Sequence, residues 1–414
     1  MPATTLWRHV LGVDRQVVIE SVEFDEEEEA IVAEVRLRRG KRLRCGRCGT
    51  RAPREDRGEG RRRWRSLDLG VRRCCLEAEA PRVNCRTHGV TVAQVPWARH
   101  GAWHTRDFED QVAWLVTHSS KTAVAELMRV AWRSVGSMVN HVVAERRSAT
   151  DPFEGLTRIG IDEISYTKGH RYLTVVVDHD SGRLIWAGVG ADKATLTSFF
   201  ELLGPERCAR LSIVTADGAG WIADVVAARA TNATLCIDAF HVVKWASDAL
   251  DEVRRQTWNA ARREGMRAHA KELKGCRFAL WKNPEDLTTR QAAKLSWIAK
   301  HNQALYRAYL LKEQLRLAIR TKGEHSLVMF EAWLAWAARC RIPSFVELGR
   351  KIRRHFPGIE AAMLNRFSNA LIESTNTKLR VLHRMAFGFA DPEHLIALAL
   401  LDRGGYCPEL PGRG

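Results

Sequence analysis

The stretch Arg158–Lys168, with the sequence RIGIDEISYTK, decides the fold class of this chain. Apolar Ile159 and Ile161 alternate with smaller or polar residues, and Asp162 begins a polar run. Apolar alternation that ends in carboxylates is typical of a buried strand that carries an acid to the rim of a sheet. A strand end with two solvated acids gives the same pattern, so the neighbouring stretches have to decide between the two interpretations.

Further strands follow in an order that brings a second aspartate to a strand end. The pattern predicts strands over Arg171–Asp178, Leu184–Val189 and Leu211–Thr215, with a helix over Asp192–Leu203 before the last strand. That last strand runs on to Asp217, which lies 217 − 162 = 55 residues after Asp162. This is the order of a ribonuclease-H-like core, in which adjacent strands carry metal-binding acids to one edge. We therefore expect an α/β fold with such a core beginning in residues 151–243.

Composition and charge indicate a globular protein with a polyanionic partner. The 414 residues are 45% apolar and carry a net charge of +16, with a pI near 9.7. A basic but unrelated enzyme from a GC-rich genome would show the same balance. Met1–Val10 lacks the apolar region of a secretory signal, and no apolar run approaches the roughly 20 residues that span a bilayer. Ten cysteines could suggest disulfides, but a long chain without a secretory signal favours a reduced, cytoplasmic protein with metal-binding or inert cysteines and no membrane partner.

Two short motifs predict a structural zinc site in an N-terminal module over residues 1–100. Cys45 and Cys48 lie in CGRC, Cys85 and His88 lie in CRTH, and 85 − 48 − 1 = 36 residues separate the two motifs. Three thiolates and one imidazole complete a closed tetrahedral Zn²⁺ site. The alternative is that these residues bind no metal. The residues between the motifs predict a hairpin of Trp64–Val71 with Arg73–Ala80, which makes the adjacent Cys74 and Cys75 strand residues.

The same hairpin is strongly basic. Residues 40–73 contain thirteen Lys and Arg against four Asp and Glu, which favours contact with phosphates. We expect a DNA-binding surface with one aromatic anchor, although a solvated basic face is the alternative. The residues concerned are Arg61, Arg62, Arg63, Trp64 and Arg65.

Residues 101–150 have the pattern of a helix-turn-helix domain. Helices are predicted over Asp107–Thr117, Lys121–Arg129 and Ser134–Val143, with a break before the third. Three packed helices without DNA contacts would give the same pattern. The candidate DNA contacts at the break and on the outward face of the third helix are Arg133, Ser134, Ser137, Asn140 and His141.

The C-terminal half combines a helical insertion with a third candidate acid. A strand over Ala233–Ile237 ends at Asp238, and His241 follows on the first turn of a helix. Residues 244–360 are predicted to be an all-α insertion, and residues 361–414 to return to the core. A helix over Ser368–Arg380 would place Asn369, Glu373, Asn376 and Arg380 on one polar face. A plain surface glutamate is the alternative reading of Glu373.

These motifs together resemble the insertion-sequence transposases of the ISL-three (ISL3) family, bacterial enzymes with an Asp-Asp-Glu active site. The resemblance covers nearly the whole chain and is most specific in CIDAFHVVKW and in SNALIESTNTKLRVLHRMAFGF. Two positions depart from the pattern: His88 stands where many relatives have a fourth cysteine, and Phe387 stands where tyrosine is common. A zinc site tolerates the first change.

The resemblance implies a DNA transposase that binds terminal inverted repeats, cleaves DNA and joins the ends to target DNA. It makes Asp162, Asp217 and Glu373 the catalytic acids, with Asp238 and His241 in support. A helix cap at Asp238 and a structural histidine at His241 are the alternatives. Lys378 and Arg380 are expected to contact the DNA backbone, with solvated helix charges as the alternative. Two Mg²⁺ or Mn²⁺ ions held by oxygen ligands would serve the phosphoryl transfer. A homodimer in the bacterial cytoplasm, associated with the nucleoid, is the corresponding expectation. A transposase-derived DNA-binding regulator without catalysis and a ribonuclease-H-like nuclease remain the alternatives.

Overall fold

The computed structural model describes residues 3–38, 40–167, 169–321, 323–365, 370–386 and 391–413 of the chain. These residues form two compact units, one made of Met1–Pro152 with Thr377–Gly414 and the other of Phe153–Asn376. The predicted positions Lys168, Ser368, Asn369 and Phe387 lie outside the described residues. No helix in the described part of the chain is both long and apolar enough to cross a membrane.

The strands are β1 Val17–Asp25, β2 Ala30–Leu37, β3 Arg54–Asp56, β4 Arg61–Leu69, β5 Arg72–Glu79, β6 Arg82–Cys85, β7 Gly89–Val92, β8 Arg158–Thr167, β9 Arg171–Asp178, β10 Leu184–Val189, β11 Ile213–Ala216 and β12 Thr234–Ile237. The helices are α1 Ala3–Val10, α2 Arg106–His118, α3 Lys121–Leu127, α4 Trp132–Ser148, α5 Lys193–Leu203, α6 Pro205–Cys208, α7 Gly220–Arg229, α8 Ala239–Arg263, α9 Arg267–Gly275, α10 Arg277–Trp281, α11 Thr289–His301, α12 Gln303–Arg320, α13 Glu324–Arg339, α14 Pro343–Arg354, α15 Phe356–Asn365, α16 Ala370–Met385 and α17 Pro392–Arg403.

The first unit begins with two small sheets. One has the strand order β1-β2-β5-β4, and the predicted hairpin forms its antiparallel β4–β5 pair. The other has the order β3-β6-β7 and carries the second zinc motif at the end of β6. Helix α1 and strand β1 were not predicted from the sequence.

The predicted helix-turn-helix lies in α2, α3 and α4. Its third helix buries Val135, Met138 and Val139 as the pattern predicts, but it begins earlier, at Trp132. Arg129, in the turn before it, has a left-handed backbone with φ of 53°. The Arg129 guanidinium donates to the Val71 carbonyl oxygen at 3.2 Å and pairs with Asp68. The turn of the helix-turn-helix is therefore docked on the β4–β5 hairpin.

The sequence places all of residues 361–414 in the core, whereas the contacts of the structure divide this segment after Asn376. Residues Thr377–Gly414 belong to the first unit, where α17 packs against α2 and α4. All seven residues from Leu395 to Leu401 are buried in α17, so the helix needs apolar partners on nearly every side. Gly136 of α4 leaves room for one of these contacts, since a Cβ there would lie 3.2 Å from the His394 ring.

The second unit is built on a mixed sheet with the strand order β10-β9-β8-β11-β12. Strand β9 runs antiparallel to β8 and β10, whereas β11 runs parallel to β8 and β12. Helices α5 and α7 cover the sheet with Leu196, Phe199 and Ile222, which pack with Ile159 and Ile161. The predicted strand–strand–strand–helix–strand order is therefore present.

The described residues from α8 to α15 form helices and turns without a strand, as predicted for the insertion. They share a separate apolar core that includes Leu250, Leu311, Trp333 and Phe345. The Trp333 indole N–H donates to the Leu311 carbonyl oxygen at 2.7 Å, so this large side chain is buried with its polar atom satisfied.

Candidate active site and metal centre

Three acids lie on neighbouring parallel strands of the mixed sheet: Asp217 and Asp238 directly follow β11 and β12, whereas Asp162 lies within β8, which runs on to Thr167 and does not end at the acid as expected. Strand β11 pairs with β8 so that Thr215 lies opposite Gly160, and it pairs with β12 so that Ala216 lies opposite Ile237. Continued by one or two residues, this register puts Asp217 level with both Asp162 and Asp238. Neighbouring strands lie about 4.8 Å apart, so the three residues form a row across the sheet.

Both carboxylate oxygens of Asp162 accept hydrogen bonds. Its Oδ2 accepts from the Asn376 side-chain amide at 2.7 Å, and its Oδ1 accepts from the Glu163 backbone N–H at 2.8 Å. Asn376 was expected on an outward polar face of its helix, but its side chain is only 2% exposed. The contact with Asp162 explains this burial, because a buried amide needs a polar partner.

Helix α16 packs directly onto the backbone of β8. A Cβ at Gly160 would lie 2.2 Å from Cδ1 of Ile372, so only glycine leaves room for this contact. Beside it, the His179 Nε2 and Thr215 Oγ1 atoms are 2.8 Å apart. Ile372 immediately precedes Glu373, which lies in the first turn of α16 and is exposed. The glycine and Asn376 together fix the part of α16 that carries the third candidate acid.

Glu163 is a site residue that the sequence analysis did not single out. Burial, together with the charges of Asp217 and Asp162, raises the pKa of its half-buried carboxyl to about 7. Such a group can keep a proton at neutral pH beside ionised acids. The adjacent Asp-Glu pair was the signal in the sequence, but alternation alone does not tell which acid turns inward.

Asp238 and His241 lie at the start of α8, beside the same sheet edge. Asp238 is buried, and its Oδ2 lies 3.8 Å from His241 Nδ1. The backbone N–H of His241 donates to the Asp238 carbonyl oxygen at 3.1 Å, so the motif forms the first turn of the helix.

A cavity of about 580 Å³ is lined by Gly218, in the loop after β11, and by residues of α8 and α14. A Cβ at Gly218 would lie 2.2 Å from the Trp245 ring, so this glycine lets the indole approach the loop after β11. Lys351 Nζ lies 3.7 Å from the centroid of that ring. Burial lowers the pKa of Lys351, while the charges of Asp217 and Asp248 act in the opposite direction. The insertion thus brings a cation and an aromatic ring to the acidic edge.

The zinc motifs meet in space. Within the described part of the chain, Cys45, Cys48, Cys85 and His88 are the group whose ligand atoms all lie within 4.8 Å of one another; Asp162, Asp217 and Glu373 are not gathered so closely. The Cys48 and Cys85 sulfurs are 3.7 Å apart, and His88 Nδ1 is 3.8 Å from the sulfurs of Cys45 and Cys85. Tetrahedral Zn²⁺ with bonds of about 2.3 Å requires S–S distances of about 3.8 Å, so the set fits this ion.

Backbone groups prepare two of these thiols for a metal. Hydrogen bonds from Thr50 lower the pKa of Cys48 to about 6, and the His88 backbone N–H lowers that of Cys85. Both favour the thiolate, which is the form that binds metal. Gly46 allows the tight turn, since a Cβ there would lie 2.6 Å from the Val92 carbonyl oxygen.

The predicted aromatic anchor of the basic hairpin is wrong. Trp64 is 2% exposed and packs edge-on against Trp97, because alternation along β4 turns it into the core. Three of the predicted arginines are also engaged with acids: Arg61 pairs with Glu34 and Glu77, Arg63 with Asp25, Glu28 and Glu77, and Arg65 with Asp68. Arg62 instead lies 4.0 Å from the centroid of the Trp103 ring, which is 66% exposed.

The predicted contacts on α4 divide by exposure. Arg133 and Ser137 are exposed, whereas Ser134, Asn140 and His141 are half-buried. His141 Nδ1 lies 2.9 Å from Glu109 Oε1, so its imidazole is engaged within the unit. At the other end of the chain, Lys378 Nζ lies 3.5 Å from Asp402 Oδ1, and Arg380 is exposed.

An ion-pair network inside the first unit holds the segment before α2 against α2 and α4. Arg99, 6% exposed, pairs with Glu109 at 3.2 Å, Asp110 at 2.7 Å and Glu145 at 2.8 Å. The Glu109 side chain is 1% exposed. The network joins the segment after the second sheet to α2 and α4, so the zinc-bearing part and the helix-turn-helix are packed as parts of one unit.

Comparison with known proteins finds three family profiles along the chain. Residues 41–88 match the zinc-finger of transposases of the IS204, IS1001, IS1096 and IS1165 type. Residues 93–143 match the helix-turn-helix domain of transposase family ISL3, and residues 159–399 match the DDE-type transposase domain of that family.

Whole-length relatives agree with these profiles. The chain is 56% identical over 431 aligned positions to the transposase for insertion sequence element IS1557 of Mycobacterium tuberculosis, in both strain CDC 1551 / Oshkosh and strain H37Rv, covering 99% of this chain and 97% of the relative. It is 26% identical to the transposase for insertion sequence element IS1001 of Bordetella parapertussis, covering 91% of this chain and 92% of the relative. With a zinc ribbon, a helix-turn-helix and a transposase domain in that order, the chain belongs to the ISL3 family of insertion-sequence transposases.

Proposed function

We propose that this transposase binds the terminal inverted repeats of an insertion sequence, cleaves the DNA there and transfers the ends to target DNA through Asp162, Asp217 and Glu373. The observation that carries the proposal is the strand register that puts Asp162 level with Asp217. Helix α16 is pinned over the same strand by the hydrogen bond from Asn376 to Asp162. Glu373 lies three residues before Asn376, almost one helical turn away, and so can turn towards the same edge.

The strand order supports a ribonuclease-H-like core. A mixed sheet of order β10-β9-β8-β11-β12, with β9 antiparallel to its neighbours, is the arrangement expected for this fold. Ligands of open α/β sheets bind beyond the carboxyl ends of parallel strands, and the acids lie at that edge.

The oxygen ligands of this edge suit Mg²⁺ or Mn²⁺. Asp162, Asp217 and Glu373 would hold two such ions, whose chemistry is to activate a water or a DNA 3′-hydroxyl and to stabilise the leaving oxygen. Asn376 keeps the Asp162 carboxylate in one orientation. Glu163 can hold a proton, which lowers the repulsion within the acidic row. Lys351 supplies a positive charge close to Asp217, where a phosphate would enter.

The helix-turn-helix would read the terminal repeats with the exposed N-terminal part of α4, where Arg133 and Ser137 face solvent. Lys378 and Arg380 remain candidates for backbone contacts. An insertion sequence has two ends, so we propose that the enzyme acts as a homodimer with one copy per end. Action on chromosomal DNA would associate it with the nucleoid of the bacterial cytoplasm.

Cleavage and strand transfer on a duplex carrying the element's own end test the proposal. We expect Asp162→Asn and Glu373→Gln to abolish both reactions in Mg²⁺ or Mn²⁺ while leaving end binding within about twofold of wild type. Asp224→Asn is the control, because Asp224 is an exposed acid of the same unit that pairs with Lys193. Equal cleavage by wild type and both variants would overturn the assignment of the acids.

The same assay separates the alternatives. Cleavage without strand transfer would indicate a nuclease. Binding of the ends with no reaction in either metal would indicate a DNA-binding regulator.

A further inference from the structure

A basic groove in the first unit extends beyond the predicted hairpin surface, with which it shares Arg61. It has a volume of about 1000 Å³ and lies between the end of β2, the segment that carries the first zinc motif, and the start of β3. Its floor includes Trp97, which is 6% exposed, so no aromatic face is presented for stacking.

The cations that line this groove are of two kinds. Arg36 pairs with Glu20 at 2.6 Å, Arg54 with Glu79 at 3.7 Å, and Arg61 with Glu34 and Glu77. Arg38, Lys41, Arg42 and Arg51 are exposed, and no carboxylate within the described residues pairs with them. Four neighbouring cations without acids repel one another, and a polyanion in the groove would relieve that repulsion.

We propose that the basic groove binds the sugar-phosphate backbone of duplex DNA through Arg38, Lys41, Arg42 and Arg51, as a second contact beside the helix-turn-helix. Long flexible cations without a stacking surface or a fixed array of side-chain acceptors recognise charge and not base sequence. The inference rests on the proposed function only in taking DNA as the ligand.

The zinc site gives these cations their spacing. Lys41 and Arg42 lie four and three residues before Cys45, and Arg51 lies three residues after Cys48. The segment is closed by hydrogen bonds from the Cys45 N–H to the Thr50 carbonyl oxygen at 2.8 Å and from the Ala52 N–H to the Leu43 carbonyl oxygen at 3.3 Å. Zn²⁺ on the thiolates would lock this loop, so the groove depends on the metal whereas the cations themselves do not bind it.

The test measures how the affinity for duplex DNA falls with salt, using the full chain made cleavage-inactive by Asp162→Asn. Each phosphate contact contributes about 0.9 to the slope of log affinity against log salt. We expect the fourfold variant Arg38→Ala, Lys41→Ala, Arg42→Ala, Arg51→Ala to lower the slope by about 3 to 4. A matched variant with Arg15, Arg57, Arg73 and Arg413 changed to Ala removes the same charge from exposed positions outside the groove, and should lower it by less than about 1.

Two further measurements keep the result interpretable. Zinc content shows whether each variant retains its fold. A variant that combines Arg38→Lys, Arg42→Lys and Arg51→Lys keeps the charge and should therefore have the wild-type slope. An unchanged slope in the groove variant with zinc retained, or equal losses in the groove and matched variants, would overturn the inference. A duplex of unrelated sequence gives the same test of the groove, so it can fail or succeed independently of end recognition and cleavage.

Discussion

At the scale of single residues, the candidate active site depends on two contacts made by α16. One is a steric contact, the Ile372 side chain against the backbone of Gly160. The other is polar, the Asn376 amide on Asp162. Both residues lie within four positions of Glu373, so errors in either contact would move the third acid.

Replacement of Gly160 by alanine should push α16 away from β8. A Cβ 2.2 Å from Ile372 forces the side chain or the helix to shift, which costs about 1–3 kcal/mol of folding stability. Denaturant unfolding measures the loss. Gly220→Ala is the control, because nothing lies within 4 Å of a Cβ there, and its stability should be equal to wild type or up to about 1 kcal/mol higher. Equal stability of the two variants would contradict the tight packing.

Replacement of Asn376 by alanine should weaken metal binding more than DNA binding. Loss of a hydrogen bond that orients a metal ligand typically costs 10–100-fold in metal affinity. We expect the Mg²⁺ concentration for half-maximal cleavage to rise by about that factor, with end binding retained. Ser374→Ala, at an exposed position of the same helix, should leave it unchanged. A fall in cleavage at every Mg²⁺ concentration without such a shift would show that Asn376 only stabilises the fold.

At the scale of elements, the sequence predicts where a strand lies better than it predicts which of its side chains are exposed and available for function. Ile159 and Ile161 identify β8 because their alternation requires one buried face. Trp64 follows the same rule, since alternation along β4 turns it inward, yet its basic neighbours suggested an exposed ring. Asn376 lies on a helical stripe with Glu373, and only the approach of α16 to β8 decides that one is buried and the other exposed. Such contacts arise between elements distant in sequence, so local periodicity does not contain them.

The zinc motifs were predictable because ligand type and spacing carry the chemistry by themselves. Cys45→Ser should reduce bound zinc from about one ion per chain to nearly none and lower the melting temperature of the first unit, since metal binding stabilises the folded site. Metal analysis of the purified protein and thermal unfolding measure both effects. Cys75→Ser changes a strand cysteine outside the site and should keep the zinc. Full zinc content in the Cys45 variant would remove the assignment.

At the scale of the whole molecule, the first unit is discontinuous in sequence. Residues 377–414 complete it through α17, which packs on α2 and α4. This arrangement was not predictable, because a helix that is apolar on every side indicates burial without naming its partner. The order of the zinc ribbon, the helix-turn-helix and the catalytic domain along the chain, by contrast, followed from local motifs.

A fragment of residues 1–152 should therefore be unable to bind DNA with full affinity. Without α17 it exposes the apolar faces of α2 and α4, and exposed patches of this kind promote aggregation. Binding of an end duplex measures the defect, and a separate peptide of residues 377–414 should restore it. Full affinity of the fragment alone would show that α17 is dispensable for the helix-turn-helix.

The place of α17 also has a consequence for synthesis of the protein. Between Pro152 and Thr377 the ribosome must add 376 − 152 = 224 residues, which takes roughly 10–45 s at about 5–20 residues per second. Early in that interval α4 emerges from the ribosome, but its partner helix has not been made. The mixed sheet of the second unit can fold first. The helix-turn-helix reaches its complete, DNA-binding form only after α17 has been made. A nascent chain whose translation stops within the insertion would carry the helix-turn-helix without the helix that completes it.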